Sequence, residues 1–139
     1  MNTKNSSVRI LVADDSEVMR NGLRSLLQSR SDWVICGEAT DGKEAVKKAV
    51  ELQPDVILVD MSMPQLNGFE VARCIHERAP QSEILIVTEH DSRFFAHVEA
   101  PSGVRGYVLK SRLSHDLESA VDAASKHQSL SNKAVSGSL

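Results

Sequence analysis

Short apolar runs and helix-spaced stripes alternate along this chain. Val8-Arg9-Ile10-Leu11-Val12-Ala13 is a β-rich run that ends at Asp14-Asp15-Ser16. From Glu17 to Ser29, Val18, Met19, Leu23, Leu26 and Leu27 recur with the helical period, which predicts a helix with one buried stripe. Trp33 to Ala39 reads as a second strand. Asp41 to Leu52 reads as a helix with Asp41 as its cap, Glu44 as the capping-box partner and Pro54 as its stop. Val56-Ile57-Leu58-Val59-Asp60 is apolar on both faces, as a strand in a parallel sheet covered on both sides must be. Asn67 caps a helix to about Glu77, with Glu70 as box partner and Phe69, Val71, Ala72 and Ile75 facing inward. Ile84 to Thr88 is the fourth strand. A short helix follows over Ser92 to Ala100, broken by Pro101 and Gly103. Tyr107 to Lys110 is the fifth strand. Ser114 caps a last helix to about Lys126, with Leu117, Ala120, Val121 and Ala124 inward.

Strand and helix therefore alternate five times, which predicts right-handed βαβ units and an α/β fold on a parallel sheet. The ends do not join this pattern. Residues 1–7 are polar and read as a disordered arm. The stretch from Gln128 to Leu139 holds four serines and no apolar stripe, so residues 127–139 read as a flexible tail or the start of a linker. Length changes the picture little: 139 residues fit one domain, here residues 8–126. A net charge of −3 argues against a free-standing nucleic-acid binder. No apolar run is long enough to span a bilayer, and the polar N-terminus has no secretory signal, so a cytoplasmic location is expected. Cys36 and Cys74 are too few for a disulfide framework and read as small buried hydrophobes.

In an open α/β sheet, ligands bind beyond the carboxyl ends of the strands. Those ends carry Asp14 and Asp15, Asp60, Thr88 and Lys110. Three carboxylates about 4 Å apart repel by about 4 kcal/mol per pair at an effective dielectric near 20. Either some of them hold protons or a cation sits among them. Oxygen-only donors favour a hard ion such as Mg²⁺, with Mn²⁺ as the alternative. Thr88 and Lys110 complement a phosphoryl group, and a carboxylate can serve as its nucleophile. Asp60 stands alone after the central strand, whereas Asp14 and Asp15 are adjacent and better placed as ligands. Mg²⁺-assisted phosphoryl transfer to Asp60 is the expectation.

These residues, with Met63-Pro64, Asn67-Gly68 and Tyr107 before Lys110, resemble the receiver domain of two-component response regulators. Gly37-Glu38-Ala39-Thr40-Asp41-Gly42-Lys43-Glu44-Ala45 and Arg105-Gly106-Tyr107-Val108-Leu109-Lys110 look most like the nitrate/nodulation-regulator (NarL/FixJ-like) subfamily. The resemblance implies a flavodoxin-like (βα)5 fold, with five parallel strands in the order 2-1-3-4-5 and helices on both faces. It implies Asp60 as phosphoacceptor for a sensor histidine kinase or a small acyl phosphate. Asp15, Asp60 and the Ser62 backbone carbonyl would hold Mg²⁺, with Asp14 acting through a water. Thr88 and Lys110 would bind phosphoryl oxygens, and Thr88 with Tyr107 would form a switch pair. The switched surface would lie around the fourth helix, fifth strand and fifth helix, where a homodimer could also form, with the first and fifth helices as the alternative interface. DNA would be met only through a C-terminal helix-turn-helix outside this chain. The serine-rich end comes where a linker to such a module would begin, so the front part of a transcription regulator is expected, with a stand-alone receiver as the alternative.

Three departures from the family pattern involve four positions. Glu89 puts a carboxylate beside Thr88 where a small residue is usual. Pro101 should shorten or kink the fourth helix. Ser62 and His90 sit where side chains help or hinder the hydrolytic water. Two rival readings differ in kind. A haloacid-dehalogenase-like phosphatase also uses an aspartyl nucleophile, but it needs a second Asp where Ser62 stands. A receiver-like interaction module that never meets phosphate would usually have lost an acid or the lysine.

Overall fold

The computed structural model describes residues 7–90 and 99–126. Its elements are β1 (Val8–Ala13), α1 (Glu17–Leu27), β2 (Trp33–Ala39), α2 (Gly42–Leu52), β3 (Val56–Asp60), α3 (Gly68–Arg78), β4 (Glu83–Thr88), β5 (Val104–Leu109), a 3-10 turn (Lys110–Arg112) and α4 (Leu113–Ser125). All strand pairs are parallel, and the sheet order is β2-β1-β3-β4-β5. The helix expected over Ser92–Ala100 falls mostly outside the described residues. Glu99 and Ala100 are described and are not helical. The 1–7 arm, apart from Ser7, and the 127–139 tail also lie outside them.

Strand alternation sorts the core into two layers. Leu11, Ala13, Ile57, Val59, Ile84 and Ile86 pack against Ala45, Val46 and Ala49 of α2 and Val71, Ala72 and Ile75 of α3. Ile10, Val12, Val56, Leu58, Leu85, Val87 and Val108 pack against Leu23 and Leu27 of α1 and Leu117, Ala120, Val121 and Ala124 of α4. Every residue of β3 and β4 is buried, so the centre of the sheet is closed to water on both faces. The strand ends remain the place where polar side chains gather.

Several boundaries differ from the sequence expectation. Helix α1 stops at Leu27 instead of Ser29, because Ser29 N–H turns back to the Leu26 carbonyl. Asp41 caps α2 by accepting from Glu44 N–H, but the return half of the box is absent: Glu44 accepts from the N–H and hydroxyl of Thr40 instead. The box at α3 is complete, with Asn67 and Glu70 bonding reciprocally. Ser114 does not cap the last helix. The chain runs from the 3-10 turn straight into Leu113, and no side chain caps that end. Strands β4 and β5 start at Glu83 and Val104, earlier than their apolar runs suggest. An ion pair between Glu83 and Arg105 supports both starts.

At the head of α3 the backbone comes close to the loop after β3. A Cβ at Gly68 would lie 2.9 Å from Met61 Cα and 3.4 Å from the Asp60 carbonyl oxygen. Backbone cannot swing away as a side chain can. We expect Gly68→Ala to destabilise the fold by about 1–3 kcal/mol through overpacking, more than the helix-propensity gain returns. Urea unfolding of both proteins would measure it.

Candidate functional site

The rim forms where four adjacent strands, β1, β3, β4 and β5, end together. Register sets Ala13 of β1 beside Val59 of β3, so Asp14 and Asp60 follow in step. Asp60 in turn pairs with Val87, and Thr88 with Leu109, which brings Thr88 and Lys110 to the same edge. The carboxylate oxygens of Asp14, Asp15 and Asp60 can all lie within 4.8 Å of one another. Asp14 and Asp60 are buried, at 1% and 3% exposure, and Asp15 is exposed. Lys110 Nζ lies 3.2 Å from Asp60 Oδ1. Ser62 N–H donates to the same oxygen at 3.2 Å. Thr88 is buried, and its Oγ1 accepts from His90 N–H at 3.1 Å. Glu89 and His90 are exposed just beyond it.

Charge does not balance among these groups. Three carboxylates face one ammonium. Asp14 Oδ1 accepts from Ser16 N–H at 2.8 Å, but Asp14 Oδ2 is buried without a hydrogen-bond partner among the described residues. Burial pushes the Asp14 carboxyl above its usual range. The Ser16 N–H pulls it back, Asp60 raises it further, Lys110 lowers it and Asp15 raises it. An orphaned buried carboxylate oxygen beside two further acids, with no sulfur or nitrogen donor in the cluster, fits a hard divalent cation.

The same imbalance fixes a pH dependence. The folded chain keeps the Asp14 proton to a higher pH than the unfolded chain does, so stability is lost as pH rises from the unfolded value of 3.8 through the folded one. Without metal, Asp14→Asn should therefore be more stable than the wild type at neutral pH, by on the order of 1 kcal/mol. The gap should close at low pH, where both forms are neutral. Thermal melts at several pH values in EDTA would show this.

Tyr107 lies on β5 opposite Ile86, two residues before Thr88 on the same face of the sheet. Its ring packs on the α2–α3 side with Phe69, the two centroids 6.3 Å apart. Burial raises its phenol above the ordinary value. Threonine and tyrosine thus sit on neighbouring strands at diagonal positions. Pro101 closes a turn through its carbonyl, which accepts from Val104 N–H, with Gly103 at φ +93°.

One part of this rim was hidden in the sequence. Glu38, at the end of β2, faces no cluster of acids. It is held by Arg20 and Arg24 of α1, and Arg20 also donates to the Asp14 carbonyl at 2.8 Å. The signal was two arginines four residues apart on one helical face, with a lone acid at the next strand end.

A response regulator receiver domain model matches residues 10–122. The chain belongs to that family. LiaR of Bacillus subtilis, a transcriptional regulatory protein, is 35% identical over 95% of this chain and 63% of its own length. The response regulator protein VraR of Staphylococcus aureus is 36% identical over 89% of the chain and 59% of its own. This receiver domain thus spans less than two thirds of the curated relatives it matches. A LuxR-family two-component response regulator from Aurantimonas sp. SI85-9A1 superposes with a TM-score of 0.80 at 31% identity, covering 93% of each chain. The response regulator domain of Thermotoga maritima CheB gives 0.73 at 30%, over 86% of this chain and 96% of that one. The NarL/FixJ-like assignment and the flavodoxin-like sheet agree with these likenesses. The receiver domain is a signalling module, and the family match displaces the haloacid-dehalogenase-like alternative. No described helix is long and apolar enough to cross a membrane.

Proposed function

We propose that this receiver domain is a phosphorylation switch in which Asp60 accepts a phosphoryl group from a sensor histidine kinase. The observation that supports it most is the Asp60 carboxylate itself, which is buried, paired with Lys110 at 3.2 Å and clustered with two further acids. Asp15, Asp60 and the Ser62 carbonyl would hold Mg²⁺, or Mn²⁺, with Asp14 acting through a water. When bound, the ion neutralises charge on the transferring phosphoryl group. An Asp60 oxygen attacks phosphorus and forms the new P–O bond. The bond from phosphorus to the donor's imidazole nitrogen breaks, and that nitrogen keeps the electron pair. Lys110 and Thr88 meet the phosphoryl oxygens, as a fixed cation and a hydroxyl donor.

The added group brings roughly −1.5 to −2 charges. Thr88 gives up its bond from His90 N–H when its hydroxyl turns toward Asp60. That leaves room above Ile86 for the Tyr107 ring to follow. The two residues are diagonal neighbours on one face, so one motion can bias the other. Ser62, Glu89 and His90 border the path of the hydrolytic water and tune how long the phosphoryl group persists. The output is control of transcription through a DNA-binding helix-turn-helix outside this chain, in the cytoplasm, with a homodimer as one available assembly.

Acetyl phosphate with Mg²⁺ should add one phosphoryl group per chain by intact mass. The same donor in EDTA should add none. Equal uptake in EDTA would remove the metal from this account.

A further inference from the structure

We infer that Arg20 is a positioning residue for the divalent-cation site, fixing the Asp14–Asp15 peptide so that Asp15 meets the ion. This rests on the metal site proposed above. Asp15 is exposed, and Asp14 Oδ1 is already engaged with Ser16 N–H. The direction of the Asp15 side chain is therefore set by the backbone that carries it. The carbonyl of Asp14 belongs to the peptide bond joining the two acids, and a plane held at that oxygen is held for both residues. Two contacts hold that peptide unit and the one before it. Asp14 N–H donates to the Ala39 carbonyl at 3.0 Å, and Arg20 Nη1 donates to the Asp14 carbonyl at 2.8 Å.

Arg20 is itself fixed at its other end. Its Nε donates to Glu38 Oε1 at 3.1 Å, and its side chain is only 14% exposed. Glu38 is held a second time by Arg24, whose Nε donates to Oε2 at 3.0 Å. Lys48 of α2 donates to the Glu38 backbone carbonyl. A planar guanidinium bonded along two edges loses little freedom once seated. The loop bearing two of the acids is thus tied to the end of β2 and, through it, to α2.

The sign of the effect separates positioning from plain charge. Arg20 is a cation close behind a site for a cation. If only its charge mattered, removing it would tighten divalent binding. If it holds the Asp14–Asp15 peptide, removing it weakens binding despite the lost repulsion. Outer partners of metal ligands typically change affinity by roughly 10- to 100-fold when removed. Binding by Arg20→Met should weaken about tenfold, the low end, because the lost charge works in the opposite direction.

Calorimetric titration of Mg²⁺ into the metal-free chain, with Mn²⁺ followed by electron paramagnetic resonance, tests this. Arg20→Met should bind more weakly than the wild type, with Arg20→Lys between them. Glu38→Gln should also weaken binding, because it loosens the far end of Arg20. Arg24→Met leaves the bond from Arg20 to the Asp14 carbonyl in place and loosens only Glu38 behind it, so it should lose clearly less affinity than Arg20→Met. Metal-free circular dichroism shows which variants are folded, and Arg20→Lys and Glu38→Gln carry the test if Arg20→Met is not. Equal or tighter binding by the folded Arg20 variants overturns the positioning role, as does an Arg24→Met loss equal to that of Arg20→Met. A wild type that binds neither ion overturns the metal site as well.

Discussion

Asp60→Asn should take up no phosphoryl group from acetyl phosphate under conditions that label the wild type fully. Asparagine keeps the shape of the side chain and can still accept the Ser62 N–H bond that Asp60 receives at 3.2 Å. It loses the anionic oxygen that makes a nucleophile. Asp14 and Asp15 remain, so the variant also asks whether a neighbouring acid can substitute. The geometry argues against substitution. Asp14 Oδ1 is engaged with Ser16 N–H, and Asp15 is exposed at the edge of the cluster. Lys110, the cation that would meet the phosphoryl oxygens, stands 3.2 Å from Asp60. Intact mass should show the unmodified chain throughout, and a circular dichroism spectrum like that of the wild type would exclude misfolding.

Lys110→Ala should separate stability, metal affinity and chemistry in one variant. The lysine side chain is 19% exposed and that of its partner Asp60 only 3%. Removing it leaves three carboxylates without their fixed counter-charge. Breaking a fully buried pair costs about 3–5 kcal/mol, and the partial exposure of the lysine brings the expected loss for the metal-free chain to about 2–3 kcal/mol. Divalent binding should tighten, because a competing cation has left the cluster. Phosphoryl uptake should nevertheless fall by about 10²–10³-fold, as for loss of one fixed group aimed at developing charge. Urea unfolding, calorimetric titration and a mass time course read the three effects. A variant that binds Mg²⁺ more tightly and yet transfers more slowly would show that the lysine acts on the phosphoryl group, whereas weaker binding with unchanged transfer would contradict that role.

Much of this domain was legible in the pattern of apolar residues. β3 is five buried residues in a row, and only a strand covered on both faces reads that way. The rim followed from asking what stands after each strand. The parts that stayed hidden share a physical cause: charged residues doing structural work inside regular elements. Glu83 and Arg105 pair across β4 and β5, and each lies before the apolar run that marks its strand in the sequence, so that pattern places both strand starts late. Arg20 and Arg24 lie outside the apolar stripe that marks α1, and only the fold brings Glu38 within their reach. Caps showed the same weakness. Asn67 with Glu70 behaves as its residues suggest, whereas Ser114 lies inside α4, because the 3-10 turn at Lys110–Arg112 leads into the helix first. Local capping chemistry names candidates, and the incoming backbone chooses among them.

The central claim is that the phosphoryl group is carried by the Asp60 side chain. The chain treated with acetyl phosphate and Mg²⁺ would be reduced with borohydride, which converts an aspartyl phosphate to homoserine, and its peptides then sequenced by mass spectrometry. Homoserine at position 60, dependent on both donor and Mg²⁺, is the predicted result. Homoserine at position 14 or 15, or a labelled chain with aspartate intact at position 60, would contradict it.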